Sequence, residues 1–270
     1  MNKKKLTSLS KSVRRDIMKM AFDAQASHIG SSFSIVEILV VLYELILQHN
    51  PKKPANPDRD RLIISKGHAC MAPYALLSRL GYFKKELLKE YAKNGSILMS
   101  HVSSEVPGIE FSTGSLGHGL PVGLGMALFA KNHNKKWRTF VLLSDGELNE
   151  GSNWEAFMMA GHLKMDNLIV IVDNNKIQAM GLAKDIINIE PLEEKFKAFD
   201  WEVARVEDGH DFQKIYDKLQ NLLLKKSAKP KILIMDTIKG KGVSFMENEV
   251  FWHYHSPDKD EYERALKELN

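Results

Sequence analysis

Apolar and polar positions follow two different periods along this chain, and the first is helical. Val13, Ile17, Met20 and Ala24 recur at intervals of three and four residues, which predicts a helix near the N-terminus, and a second apolar helix is predicted over 35–47. Asn50-Pro51-Lys52-Lys53-Pro54-Ala55-Asn56-Pro57 then breaks the pattern with three prolines and no period, so it reads as a surface loop. A strand-like Arg61-Leu62-Ile63-Ile64-Ser65 follows at once. Further on, Phe140-Val141-Leu142-Leu143, Leu168-Ile169-Val170-Ile171-Val172 and Ile232-Leu233-Ile234-Met235 are continuous apolar runs, the pattern of parallel strands covered on both faces. Trp201-Glu202-Val203-Ala204-Arg205-Val206 alternates, like a strand with one face less buried. Helical stretches at 153–163, 192–199 and 212–224 separate these runs. The order predicts repeated βαβ units, hence an α/β fold built on a parallel sheet with helices on both faces. No repeat, low-complexity segment or composition shift divides the chain, so residues 1–270 are expected to form one domain.

Composition narrows the class more than the function. Hydrophobic residues make up 44% and charged residues 27%, values ordinary for a soluble globular chain. The 38 basic and 34 acidic residues leave a net charge of +4, and apart from Lys3-Lys4-Lys5 the basic ones are dispersed. That argues against a nucleic-acid surface, while a mild positive bias suits anionic phosphates. The lone Cys70 excludes an intrachain disulfide, fits a reducing compartment, and reads most simply as a core thiol. After the basic start, Thr7-Ser8-Leu9-Ser10-Lys11-Ser12 is no apolar signal-peptide segment. No apolar run is expected to reach the roughly eighteen residues that span a membrane. A cytoplasmic location is expected.

In open α/β sheets ligands bind beyond the carboxyl ends of the strands, so the residues there carry the functional information. The run at 140–143 is followed by Ser144-Asp145-Gly146-Glu147-Leu148-Asn149-Glu150-Gly151, and the run at 168–172 by Asp173-Asn174-Asn175-Lys176-Ile177. A carboxylate, an amide oxygen and a backbone carbonyl are hard oxygen ligands suited to Mg²⁺, which completes its octahedron with water and phosphate oxygens. Gly146 lets backbone approach a diphosphate, and the start of the next helix offers free N–H groups.

The acid-glycine pair, followed at the end of the next strand by Asn174-Asn175, resembles the signature of thiamine-diphosphate enzymes. The string Asp145-Gly146-Glu147-Leu148-Asn149-Glu150-Gly151-Ser152-Asn153-Trp154-Glu155-Ala156 narrows the resemblance to the transketolase branch. It implies thiamine diphosphate as cofactor, with Mg²⁺ or another divalent cation held by Asp145, Asn175 and the carbonyl of Ile177. Further islands resemble the same family: Ser27-His28-Ile29-Gly30-Ser31, Ser65-Lys66-Gly67-His68-Ala69, His101 ahead of Phe111-Ser112-Thr113-Gly114-Ser115-Leu116-Gly117-His118-Gly119-Leu120, and Ile238-Lys239-Gly240-Lys241-Gly242 followed by Trp252-His253-Tyr254. By resemblance, His28, His68, His101 and His253 are the catalytic imidazoles, with Glu150 linking active sites at a domain interface. Lys66, His68, Gly114, Leu116, Asp145, Gly146, Glu150, Asn175 and Lys239 are the implied cofactor contacts. The chain departs from the family at Ser27, Ser144, His118 and Tyr254, where Gly, Gly, Gln and Gly are usual.

Taken singly, each histidine fits a surface or packing role; agreement across separate islands is what favours chemistry. His49, His133, His162 and His210 have no claim beyond solvent or packing. An ordinary imidazole pKa of about 6.5 makes both protonation states available near neutrality. The resemblance also implies a reaction, transfer of a two-carbon ketol unit from a ketose phosphate to an aldose. A full transketolase is more than twice as long and carries its activating glutamate in a pyrimidine-binding domain. A partner chain is therefore expected to supply that domain, in an assembly of two copies of each chain acting on sugar phosphates. Open alternatives are another thiamine-diphosphate enzyme component, a non-catalytic subunit, and a specialised ketol transferase of sugar biosynthesis.

Overall fold

The apolar runs become β1 Arg61–Ile64, β2 Thr139–Ser144, β3 Leu168–Asn174, β4 Glu202–Val206 and β5 Lys231–Asp236, the strands of one sheet. The computed structural model describes residues 1–270. Strand order across the sheet is β1-β2-β3-β5-β4, and every neighbouring pair is parallel. Parallel neighbours require crossovers, and helices provide them. Before the sheet come α1 Lys3–Ala24, α2 Ile29–Phe33 and α3 Val36–Val41. Between and after the strands lie α4 Met71–Leu80, α5 Gly119–Asn132, α6 Gly151–His162, α7 Ala183–Ile186, α8 Leu192–Ala198, α9 Phe212–Leu224 and α10 Lys259–Glu268.

Successive strand residues point to opposite faces, and the core divides accordingly. Leu62, Ile64, Phe140, Leu142, Leu233 and Met235 pack with α1 to α4, α9 and α10. Ile63, Val141, Leu143, Val170, Ile232 and Ile234 pack with α5, α6 and α8. Helices therefore cover both faces, which is why the strands read as continuous apolar runs. Strand β4, at one edge of the sheet, differs: its residues are half-buried up to Val206 rather than strictly alternating. Cys70 is a buried free thiol, and burial pushes its pKa up to about 12.

Two expectations for the N-terminal part change. The helix expected over 35–47 is shorter, with α3 ending at Val41 and continuing as a π-helical turn over Leu42–Ile46. Ile29–Ile46 does form an 18-residue stretch apolar enough to cross a membrane, with mean hydropathy 1.9. Fully 89% of that stretch is buried inside the fold, so its apolarity is that of core segments wrapped by α1, α4 and α9. Arg14 of α1 anchors it: its guanidinium donates to both oxygens of Glu37 in α3, at 2.6 and 2.8 Å.

Close helix packing depends on glycine at two points. A Cβ on Gly123 of α5 would lie 2.5 Å from Val141 Cγ2, and one on Gly161 of α6 would lie 1.9 Å from the carbonyl oxygen of Phe199. The second neighbour is backbone and cannot rotate away. Gly161→Ala is expected to lower stability by about 1–3 kcal/mol, read as a shift in the urea midpoint. Gly151→Ala, where an added Cβ meets nothing within 4 Å, should leave the midpoint unchanged or slightly raised.

Candidate active site

Parallel register brings the ends of three central strands level, placing Ser144 beside Asp173 and Asn174 beside Asp236. Over these ends opens a pocket of about 300 Å³. Its lining includes His28, Lys66, His68, His101, Gly114, Leu116, Asp145, Gly146, Asn175, Ile177, Lys239 and His253, which the sequence scatters over more than 220 positions. Ser31, Ser144, Gln178, Ala179 and Tyr254 complete it. A wider groove of about 800 Å³ runs along β4 and α9, but it holds none of the candidate residues.

Asp145 and Asn175 are held rigidly by backbone. Gly146 N–H donates to Asp145 Oδ1 at 2.7 Å and Lys176 N–H to Oδ2 at 2.5 Å, while Ile177 N–H donates to Asn175 Oδ1 at 3.1 Å. Each of these oxygens keeps a second lone pair for a cation. The Lys239 ammonium already donates to the Ile177 carbonyl at 3.0 Å, so a positive group stands on the oxygen expected to face a metal. Burial first, and then the carboxylate of Asp173, raise the pKa of Asp145 to about 6. Lys66 and the two backbone N–H donors pull the other way but do not cancel that rise. No three His, Cys, Asp or Glu side chains form a metal cluster. One carboxylate, one amide and one carbonyl instead suit a hard cation that shares its shell with water and phosphate oxygens. His28 Nδ1 and Gln178 Nε2 are buried without partners, and both residues line the pocket, so polar groups there await a ligand. The residues present fit a bound metal-diphosphate. A 3₁₀ turn, Gly146–Asn149, follows the acid, and α6 begins at Gly151, two residues ahead of the expected start at 153.

Beneath the pocket, Lys66 and Asp173 form a wholly buried ion pair at 2.5 Å. Asp173 also accepts from Ser34 Oγ at 2.7 Å, Asn175 Nδ2 at 3.0 Å and Thr237 Oγ1. Burial pushes this carboxyl upward, but Lys66 and the hydroxyl donors outweigh it and leave the pKa below the ordinary value. Its signal in the sequence was an acid closing an apolar strand. Glu147 gave no comparable signal. It is buried, takes hydrogen bonds from Ser65 Oγ and from Gly117 N–H at 2.9 Å, and burial raises its pKa. It thus ties the glycine-rich loop to the ends of β1 and β2. Glu150, expected among the cofactor contacts, is exposed at the N-cap of α6 and is not among the residues lining this pocket. Two residues separate the two glutamates, and the 3₁₀ turn sends one inward and the other out.

Four imidazoles crowd the pocket wall. Ring centroids of His28 lie 5.2 Å from His68, 4.9 Å from His253 and 6.3 Å from His101. His28 has φ 66°, in the left-handed region, and its N–H donates to the carbonyl of His253 at 3.0 Å. Lys239 Nζ donates to His253 Nδ1 at 2.8 Å. The expectation of titration near neutrality does not hold for His28, His68 and His253. Burial, followed by repulsion from neighbouring imidazoles and the Lys66 and Lys239 ammoniums, lowers His28 to about 4 and His253 to about 3. The same causes hold His68 well below its ordinary value. All three are neutral at pH 7, each with one ring nitrogen that donates and one that accepts, and in His253 the accepting Nδ1 is taken by Lys239. Tyr254 stands at the rim, 66% exposed, with its ring edge-on to His28 and His253 at 5.5 and 4.7 Å. His118 is exposed at the N-cap of α5, away from the pocket.

Strand ends bearing an acid, an amide and a carbonyl under a ring of imidazoles define a cofactor-diphosphate-binding domain. The chain belongs to the transketolase family: residues 6–269 match its thiamine diphosphate binding domain. One relative, from Actinobacillus succinogenes, is one of the separate subunits of an apulose-4-phosphate transketolase; it is 42% identical, over 98% of this chain and 95% of that one. Another, from Clostridium sp., belongs to a 6-deoxy-6-sulfo-D-fructose transketolase as one of its subunits; it is 39% identical, over 90% of this chain and 88% of that one. Transketolase from Campylobacter jejuni superposes with a TM-score of 0.93 at 32% identity, covering 100% of this chain. This chain spans 43% of the length of that structure.

Two outcomes follow from the site's electrostatics. Asp173→Asn leaves the Lys66 ammonium buried without its counter-charge and should cost about 3–5 kcal/mol in chemical denaturation; Lys66→Met combined with Asp173→Leu should recover much of that loss. The depressed histidines set a pH dependence. In the unfolded chain they take up protons below about 6.5, which the folded chain refuses, so stability is complete above that pH and falls as pH drops toward 4. Melting temperature against pH should show this slope, and His68→Asn should flatten it.

Proposed function

We propose that this chain, a single domain over residues 1–270, is the diphosphate-binding subunit of a cytoplasmic two-chain transketolase. A separate partner supplies the pyrimidine-binding domain, in an assembly of two copies of each chain. The observation that carries this reading is the convergence of His28, His68, His101 and His253 over Asp145, Asn175 and the Ile177 carbonyl in one pocket. Asp145, Asn175 and Ile177 would hold Mg²⁺ or another divalent cation, with Gly146, Gly114 and Leu116 lining the cofactor's seat. Lys66 and Lys239 bring positive charge to the diphosphate end. Thiamine diphosphate, when bound, supplies the electron sink that lets a carbon–carbon bond break in a ketose. The protein's task is to orient the sugar and move protons. Neutral His28, with an unpartnered Nδ1, is suited to accept from a donor hydroxyl, and the exposed His101 at the mouth to meet the acceptor sugar.

The partner draws support from the names of relatives. Relatives named as transketolase subunits match this chain almost end to end. A specialised sugar substrate is favoured by Tyr254, a bulky rim residue beside two catalytic imidazoles, and by relatives named for apulose 4-phosphate and for a sulfofructose.

The decisive assay purifies the chain with the product of an adjacent reading frame and measures ketol transfer over a panel of phosphorylated, sulfonated and nucleotide-linked sugars. The pair should be active with thiamine diphosphate and Mg²⁺, and the chain alone inactive. His68→Ala in the assembled enzyme should lower kcat by roughly 10²–10⁴-fold. Activity from the chain alone, or unchanged kinetics in alanine variants of all four histidines, would overturn the reading.

A further inference from the structure

His210 lies outside the pocket lining, at the turn before α9, yet it bridges two structural features. On one side its Nδ1 is 2.9 Å from Glu37 Oε2, the carboxylate clamped by Arg14. On the other, Ile238 N–H donates to its Nε2 at 2.8 Å. A backbone N–H can only donate, so Nε2 must be bare and the ring proton must sit on Nδ1, where it donates to Glu37. Burial would raise the Glu37 pKa, but Arg14 outweighs it and holds the group down at about 2, so the carboxylate is a constant acceptor. The residue after Ile238 is Lys239, 1% exposed, whose ammonium reaches Ile177 O at 3.0 Å and His253 Nδ1 at 2.8 Å inside the pocket. A long side chain reaches two partners at once only if its backbone root is fixed.

We infer that His210 is a positioning residue: locked with its proton on Nδ1, it passes the rigidity of the Arg14–Glu37 pair to the Ile238 amide and so sets where the Lys239 ammonium stands in the diphosphate site. The inference deepens the proposed function and rests on it wherever cofactor binding is the readout.

Two measurements test it on the intact chain. Nitrogen-15 NMR of the imidazoles should find His210 protonated at Nδ1 and bare at Nε2, with the Ile238 amide protected from hydrogen exchange in wild type and unprotected in His210→Leu. The opposite tautomer, or equal exchange in both proteins, overturns the inference without any appeal to the cofactor. Calorimetry with thiamine diphosphate and Mg²⁺ then compares variants. His210→Leu should weaken binding about tenfold, the scale of one lost hydrogen bond's worth of positioning. In His210→Gln, the amide can accept from Ile238 and donate to Glu37, so affinity should stay within about threefold of wild type. His210→Leu added to Lys239→Ala should weaken binding no further than Lys239→Ala does alone, because both changes remove the same placed charge. Additive losses would mean that His210 acts independently of Lys239, and would overturn the inference. Should His210→Leu fail to fold, His210→Asn, polar but too short to bridge both partners, replaces it with the same expectations. A wild-type chain that binds no thiamine diphosphate would overturn the diphosphate reading, while the tautomer and exchange results still decide the role of His210.

Discussion

A buried ammonium and carboxylate, Lys66 and Asp173, are the constraint on which the rest of the site depends. Removing two charges from water costs several kcal/mol per ion, and attraction between them offsets this only when their remaining hydrogen-bonding capacity is met. Asp173 meets its own through Ser34, Asn175 and Thr237. Those partners come from separate places: the turn between α2 and α3, the loop after β3 and the segment after β5, with Lys66 itself following β1. Satisfying one buried carboxylate therefore gathers four stretches of chain at the strand ends. The pocket above inherits its shape from that requirement.

The same pair sets the pocket's electrostatics. Lys66 cannot leave or be screened by water, and its field reaches His28, His68, His253 and Lys239. Burial, then Lys66, lowers Lys239 to about 8. The imidazoles respond by staying neutral. What remains is a cavity with two buried ammoniums, neutral acceptors and one carboxylate of raised pKa, an environment favourable to an anionic ligand bound with a cation. Membership of the transketolase family and the local charge balance thus agree, although they come from independent observations.

Much of the fold was legible in the chain. Strands buried on both faces must be apolar at every position, so β2, β3 and β5 stood out, and the helices between them followed from period and length. The segment before β1 was harder, since Ile29–Ile46 is apolar enough to pass for a membrane span and breaks into two short helices and a π turn. The candidate residues were legible because they sit at strand ends and in glycine-rich turns, places where local sequence carries geometric meaning. Glu147 and Glu150 mark the limit of such reasoning. Three residues apart, they differ only in which way a 3₁₀ turn sends them, and that is decided by what packs against Ser65 and Gly117.

By itself, then, the sequence determined the parallel α/β architecture, the strand-end acid and amide, and which histidines were candidates for the pocket, because these depend on residue type and short-range spacing. Tertiary structure alone decided their protonation, since desolvation and the fields of Lys66 and Lys239 exist only once distant segments meet. It likewise turned Asp173 from a strand-end acid into the anchor of the site, and His210 from an ordinary side chain into a bridge between a buried ion pair and the pocket. Charges and hydrogen bonds act over a few ångströms of space, and residues 107 or 173 positions apart acquire that distance only in the fold.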